Sequence, residues 1–175
     1  MALAHAPVRL TLALLCLAAV ACGERAGGKA GDGTAATARR APSCPDAAFI
    51  STTIGFPVRA MPGASRSEPG TLLCAYQATD AALGAFVSIA VAPLSPGEDA
   101  MSEVRESAKT FLGEQADADA IDVGERGYAY GSMSKSEAAA IRASQVYRVD
   151  VTSTASARLG DRKAAVVAIL RKVVD

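Results

Sequence analysis

The chain has 175 residues, enough for one ordinary domain and not comfortably enough for two. Its 18 basic and 18 acidic residues cancel, so no overall charge directs it to nucleic acid. Half of the residues are hydrophobic, but 39 of the 175 are alanine; with no Trp, 4 Phe and 4 Tyr, large side chains for a core are scarce.

Residues 1–21 combine one strongly basic residue, Arg9, with an apolar run from Leu10 to Ala21 that ends in small residues. The run is too short to cross a bilayer, which takes about 20 apolar residues. The pattern is that of a secretory signal. Two processing routes share one bond. Ala19-Val20-Ala21 suits ordinary signal peptidase. Val20-Ala21-Cys22 resembles the end of a bacterial lipobox, in which the cysteine thiol is diacylated, although Ala19 stands where leucine is usual. The first route yields a secreted soluble protein. The second yields one tethered by lipid at Cys22, on the outer face of the cell membrane or in the periplasm.

Cysteine arithmetic bears on that choice. Cys16 leaves with the signal, and Cys22, Cys44 and Cys74 remain. If Cys44 pairs with Cys74, Cys22 is the remainder and sits where a lipid would consume it. Two or three acyl chains anchor firmly, since each buried CH₂ contributes about 0.8 kcal/mol. The other possibility is that Cys44 and Cys74 stay as buried thiols, which is unusual for an exported chain. The one histidine, His5, also leaves with the signal. A Ser-His-Asp triad, a Cys-His dyad and a His-ligated zinc are then out of reach of the mature chain, and no cofactor or metal is expected.

Residues 22–43 hold glycine, alanine and scattered charge, too little apolar surface to fold. They read as a flexible tether with a reach of roughly 25 Å. Residues 44–175 read as the globular part. They hold every aromatic residue and carry 13 basic and 16 acidic side chains.

Cys44-Pro45-Asp46 opens a short helix, with Pro45 at its first position, Ala47, Ile50 and Ile54 on one face, and Gly55 as the stop. Residues 61–70 read as a loop. Thr71–Ala78 is a strand in which Leu72, Cys74 and Tyr76 alternate, and Ala85–Ala92 is a second with Val87, Ile89 and Val91 on one side. Ser95-Pro96-Gly97-Glu98 reads as a capping box opening a helix with a core stripe of Met101, Val104, Ala108 and Phe111. Ile121–Val123 is a short strand, followed by a segment rich in glycine and tyrosine from Gly124 to Gly131. Ala138–Ala143 and Val146–Thr152 read as paired strands. Asp161–Val174 is a final helix with Val166, Ile169, Leu170 and Val173 on one face. Helix, strands, helix, strands, helix predicts an α+β domain, an antiparallel sheet covered by helices.

The lipobox-like Cys22, the small-residue tether, Cys44-Pro45 opening a helix and Cys74-Ala75-Tyr76 in a strand come in this order. Together with the middle helix, the glycine segment and the terminal amphipathic helix, the pattern resembles small lipoproteins of actinobacteria and other high-GC bacteria, across about residues 16–175. The resemblance implies a PsbP-like sandwich, a Cys44–Cys74 bridge and an envelope location. It implies no catalytic residue.

Other signals are weaker. Ser132-Met133-Ser134-Lys135 fits S-x-x-K, the nucleophile motif of penicillin-recognising enzymes, without the S-D-N and K-T-G partners. Asp117, Asp119 and Asp122 cluster, but Asp122 and Tyr128 stand where a calcium loop needs glycine and glutamate. Gly124, Gly127 and Gly131 match neither G-x-G-x-x-G nor a P-loop. Arg142, Arg148 and Arg158 are dispersed, so no nucleic-acid stripe forms. Tyr128 and Tyr130 are the candidate recognition residues. The expectation is a lipid-anchored, non-catalytic envelope module that binds a protein, lipid or glycan. The alternatives are a small exported serine hydrolase using Ser132 and Lys135, and a carrier of a hydrophobic ligand.

Overall fold

The computed structural model describes residues 42–97, 99–154 and 159–175, which fall in one compact unit. The signal, Cys22 and most of the tether lie outside them, as do Glu98 and Arg158. Helix α1 (Ala47–Ile54) begins at Asp46, whose carboxylate accepts the Phe49 amide at 2.6 Å, and ends at Gly55 in the left-handed region. Asp46 is thus the cap itself, and Pro45 stands just outside the helix. Strands β1 (Val58–Ala60), β2 (Arg66–Glu68), β3 (Thr71–Ala78) and β4 (Ala85–Pro93) follow. Then come α2 (Ser102–Leu112), β5 (Asp119–Ala120), β6 (Arg126–Gly131), β7 (Lys135–Arg142), β8 (Gln145–Ser153) and α3 (Lys163–Val174).

All the strands join one antiparallel sheet in the order β1-β3-β4-β8-β7-β6-β5, with β2 also pairing β3. The domain is therefore α+β, as the element order predicts. Helices α1 and α3 cover one face, over Leu72, Cys74, Tyr76, Val87, Ile89, Val149 and Val151. Helix α2 lies on the other, over β6 and β7. Alanine serves this arrangement. Ala138 and Ala140 are buried with the α3 core, and Ala139 between them is buried with the α2 core. Small side chains let a helix approach β7 from each side.

The Cys44 and Cys74 sulfurs stand at bonding distance, 2.12 Å, with Cα atoms 5.6 Å apart. The bridge ties the chain just before α1 to the middle of β3. Tyr76 adds a second fastening two residues on, its hydroxyl donating to the Pro45 carbonyl at 2.5 Å. Burial, with Asp46 nearby, pushes that hydroxyl's pKa up to about 12.

Four further sequence expectations change. Residues 61–70 are not all loop, because Arg66–Glu68 pairs with the free edge of β3. The helix expected from Ser95-Pro96-Gly97-Glu98 begins instead at Ser102, because Gly97 sits at φ +79°, outside any right-handed helix. The strand expected at Ile121–Val123 is Asp119–Ala120, since the chain turns at Val123, whose amide reaches back to the Ile121 carbonyl. Ala143 is not in a strand. With Ser144 it forms the two-residue turn between β7 and β8, at φ 51° and 60°.

Positive φ at both central positions is the hairpin geometry that Asn-Gly suits and that alanine adopts at a cost. Combining Ala143→Asn with Ser144→Gly is expected to stabilise the domain by about 1 kcal/mol. The measurement is the urea midpoint, which should rise at an unchanged slope.

Candidate functional site

The second sheet face carries the chemistry. Along β7, Lys135, Glu137, Ala139 and Ile141 point to it; along β8, Val146, Arg148, Asp150 and Thr152; along β6, Tyr128 and Tyr130. Register places Tyr130 opposite Glu137, Glu137 opposite Asp150, and Asp150 opposite Ser88. A polar row thus crosses four strands beneath and beside α2.

Glu137 is 2% exposed. A carboxylate so deep needs partners. Its Oε2 lies 2.7 Å from Lys135 Nζ and accepts from the Tyr130 hydroxyl at 3.3 Å; its Oε1 lies 3.4 Å from Arg148 Nε. Arg148 turns its other end to Glu103 on α2, at 2.5 Å. Asp150 accepts from the hydroxyls of Ser88 and Thr152. Burial raises the Asp150 pKa, against the Ser88 hydrogen bond and the attraction of Lys135, and Glu137 raises it further. The Tyr130 hydroxyl is pushed upward by burial and then by Glu137.

Helix α2 covers only part of this face. Leu73, Ala75, Gln77, Ser88 and Ala90 are half-buried, while Phe86 and Ala92 are exposed. Where α2 meets the open part, Ala90, Ala92, Pro93, Ala100 and Val146 line a cleft of about 190 Å³ together with Glu103 and Arg148. A second open cleft, of about 490 Å³, lies between the end of α2 and the β6–β7 turn.

The residues singled out from sequence are placed as follows. Tyr130 is 1% exposed, so it is a core residue and not a recognition surface; its ring stacks on Phe111. Tyr128 is half-buried, with the Arg105 guanidinium 5.9 Å from its ring centre. Phe111, expected in the α2 core, is instead 41% exposed, in the last turn of the helix. Ser132 holds a tight turn. Its hydroxyl donates to the Lys135 carbonyl at 2.8 Å and accepts the Lys135 amide at 3.0 Å, while the Lys135 ammonium is engaged by Glu137. Asp117 forms a two-pronged pair with Arg105, and Asp119 pairs with Lys163 at 2.6 Å. The Arg105 hydrogen bonds lower the Asp117 pKa to about 2.

Among the described residues no group of three or more His, Cys, Asp or Glu is placed to hold a metal ion. The spacing of Gly127 and Gly131 has a packing cause. A Cβ on Gly131 would sit 1.9 Å from Asp161 Oδ1, and one on Gly127 would sit 2.9 Å from Ile121. The polar row itself escaped the sequence reading, which began β7 at Ala138. Extending the strand three residues back places Glu137 and Lys135 on the face opposite Ala138. No family model matches the chain, and neither does any curated protein or solved structure.

Two outcomes test this geometry. Lys135→Met leaves the Glu137 charge short of its nearest cation and is expected to cost about 3 kcal/mol. Adding Glu137→Met should recover most of that loss, as a double-mutant cycle in urea would show. Asp150 binds its proton more tightly folded than unfolded. It therefore lowers stability above its folded pKa, and the deficit disappears as pH falls through that value toward the ordinary 3.8. Asp150→Asn should thus be more stable than the parent chain at neutral pH, and the difference should shrink in acid. Asp117 works in the opposite sense, its contribution being present above 3.8 and lost as pH falls toward about 2.

Proposed function

We propose that the chain is an exported domain, anchored by lipid on Cys22 and joined to its anchor by the tether of residues 22–43. In this reading it is a PsbP-like sandwich acting as a non-catalytic binding module in the cell envelope. The observation that carries the proposal is the pairing of Cys44 with Cys74. Structural disulfides persist in oxidising compartments and are rare where thioredoxin and glutathione keep thiols reduced. With those two cysteines joined and Cys16 in the leader, Cys22 is the remaining thiol, at the position a lipobox assigns to acylation.

The binding role is supported by the open half of the second sheet face. Helix α2 leaves Phe86 and Ala92 of β4 exposed, and Ala92 borders a cleft that contains an ion pair. An apolar floor with one charged pair at hand suits a protein, lipid or glycan surface of the envelope. The engaged state of Ser132 and Lys135 supports a structural role for the S-x-x-K match. In the serine-hydrolase alternative the lysine would have to be free to take the serine proton.

Intact mass spectrometry of the processed protein tests the reading. The expected mass corresponds to cleavage before Cys22, acyl chains on that residue, and two hydrogens gained on reduction. A chain that retains Met1, with every thiol alkylatable, would defeat it. The bridge closes a loop of sequence separation 30. Combining Cys44→Ser with Cys74→Ser is expected to cost about 3.5 kcal/mol on the chain-entropy estimate, read from the urea midpoint.

A further inference from the structure

Four large hydrophobic side chains are exposed among the described residues: Phe86, Phe111, Leu112 and Met133. Three of them gather in one place. Phe111 and Leu112 end α2, Met133 caps the β6–β7 turn, and all three line the same open cleft of about 490 Å³. Leu112 is 46% exposed and Met133 54%. Scattered exposed hydrophobics need no explanation, but a cluster on one end of a small domain marks a contact surface.

The place where the tether joins indicates what that surface meets. Pro45, near the start of the described chain, is fastened to Tyr76. Register carries the row of Tyr76 across Val87, Val151 and Ser136 to Gly131, the residue before the turn that holds Met133. Four strand spacings amount to about 19 Å. With Cys44 tied at the middle of β3 and Pro45 at the Tyr76 row, the tether joins the domain between mid-strand and the end that holds the cluster, about 19 Å across the sheet and within its expected reach of roughly 25 Å. Anchoring Cys22 in a bilayer would leave this end of the sheet within reach of the lipid.

The charges around the cluster suit an interface. Lys135 and Lys163 stand beside it, paired with Glu137 and Asp119 respectively; a Cβ on Gly131, which lines the cleft, would sit 2.9 Å from Lys163 Cβ. The Lys135 ammonium also lies 5.4 Å from the Phe111 ring centre. Long cationic stems beside aromatic and aliphatic groups are the composition that settles at headgroup depth. Asp161 also lines the cleft, with Oδ1 accepting the Lys163 amide at 2.7 Å. Because the lysines are paired, apolar side chains make the contact and the charges border it.

We propose that this end of the domain is a membrane-contacting face, with Phe111, Leu112 and Met133 entering the headgroup boundary of the bilayer that holds the acylated Cys22. The proposal rests on the lipid-anchor reading, and its test separates the two. The chain contains no Trp, so one introduced indole reports alone. The full-length chain carrying Met133→Trp is purified after processing and combined with vesicles of phosphatidylethanolamine and phosphatidylglycerol. Its emission is expected to move to shorter wavelength and to be quenched by brominated acyl chains. Glu68→Trp, exposed on β2 beside Thr71 at the other end of β3, should do neither. Leu112→Trp provides the same reading should Met133→Trp fail to fold.

Emission at positions 133 and 112 that keeps its aqueous wavelength on vesicles would overturn the proposal. A blue shift without vesicles, accompanied by a dimer in size-exclusion chromatography, would assign the cluster to self-association and overturn it equally. The acyl state of Cys22 is read independently from the intact mass. An unacylated product defeats the anchor alone. The fluorescence with added vesicles then still decides the face, a shift supporting it and constancy overturning it.

Discussion

Strand β7 has to be buried on both sides at once, and most of the domain follows from that constraint. From Ser136 to Ile141 every side chain is buried, alternately beneath α3 and beneath α2. A strand covered on both faces usually reads as a continuous run of large aliphatics. Here it reads Ser-Glu-Ala-Ala-Ala-Ile. The alanines bring the helices close to the sheet, so dispersion between well-packed atoms replaces bulk. Glu137 is the exception that organises its surroundings. Its charge in a doubly covered strand requires Lys135 from its own strand and Arg148 from the next, and Arg148 in turn holds Glu103 on α2. The helix is thus fixed over β6 and β7 by small-residue packing on one side and by an ionic chain on the other.

That placement leaves the rest of the second face open. Helix α2 has 11 residues and cannot span all of the strands it crosses. The uncovered part carries alanine, serine and one exposed phenylalanine, with no large aliphatic side chain at full exposure, and so remains compatible with water. Asp150 sits where the covered and open parts meet, held by two hydroxyls and not by a cation. Burial raises the pKa of a carboxylate in that environment, and it can accept from a further donor. The open face therefore combines a firm scaffold with polar groups whose own pairing is incomplete in charge.

The opposite face is closed by a different device. Helix α1 is only eight residues long and presents two buried side chains, Ile50 and Ile54. Burial of that size secures a helix weakly. The covalent tie from Cys44 to Cys74 and the Tyr76 hydrogen bond to Pro45 hold its start against β3. They also fix where the preceding chain leaves the domain. In the proposed anchored protein this keeps the strands' end, with its apolar cluster, within reach of the bilayer.

Elements with one buried face were legible in the sequence. The alternations of Leu72, Cys74 and Tyr76, of Val87, Ile89 and Val91, and of Tyr147, Val149 and Val151 mark strands, and the stripe through Val166, Ile169 and Leu170 marks α3, because period 2 and period 3.6 are recorded in every such run. Gly55 marks the end of α1 for an equally local reason, whereas its start, expected at Pro45, falls after Asp46 because that carboxylate caps the helix. Strands β1 and β2 were not legible. Each has three residues, too short for a period, and exists because β3 offers a free edge. Nor was the row Tyr130, Glu137, Asp150 and Ser88. Its members belong to four strands, and Ser88 and Asp150 stand 62 residues apart. Local composition determined which side of each element is buried. Which side chains meet across the sheet was decided by register, and register is a property of paired strands, not of any one of them.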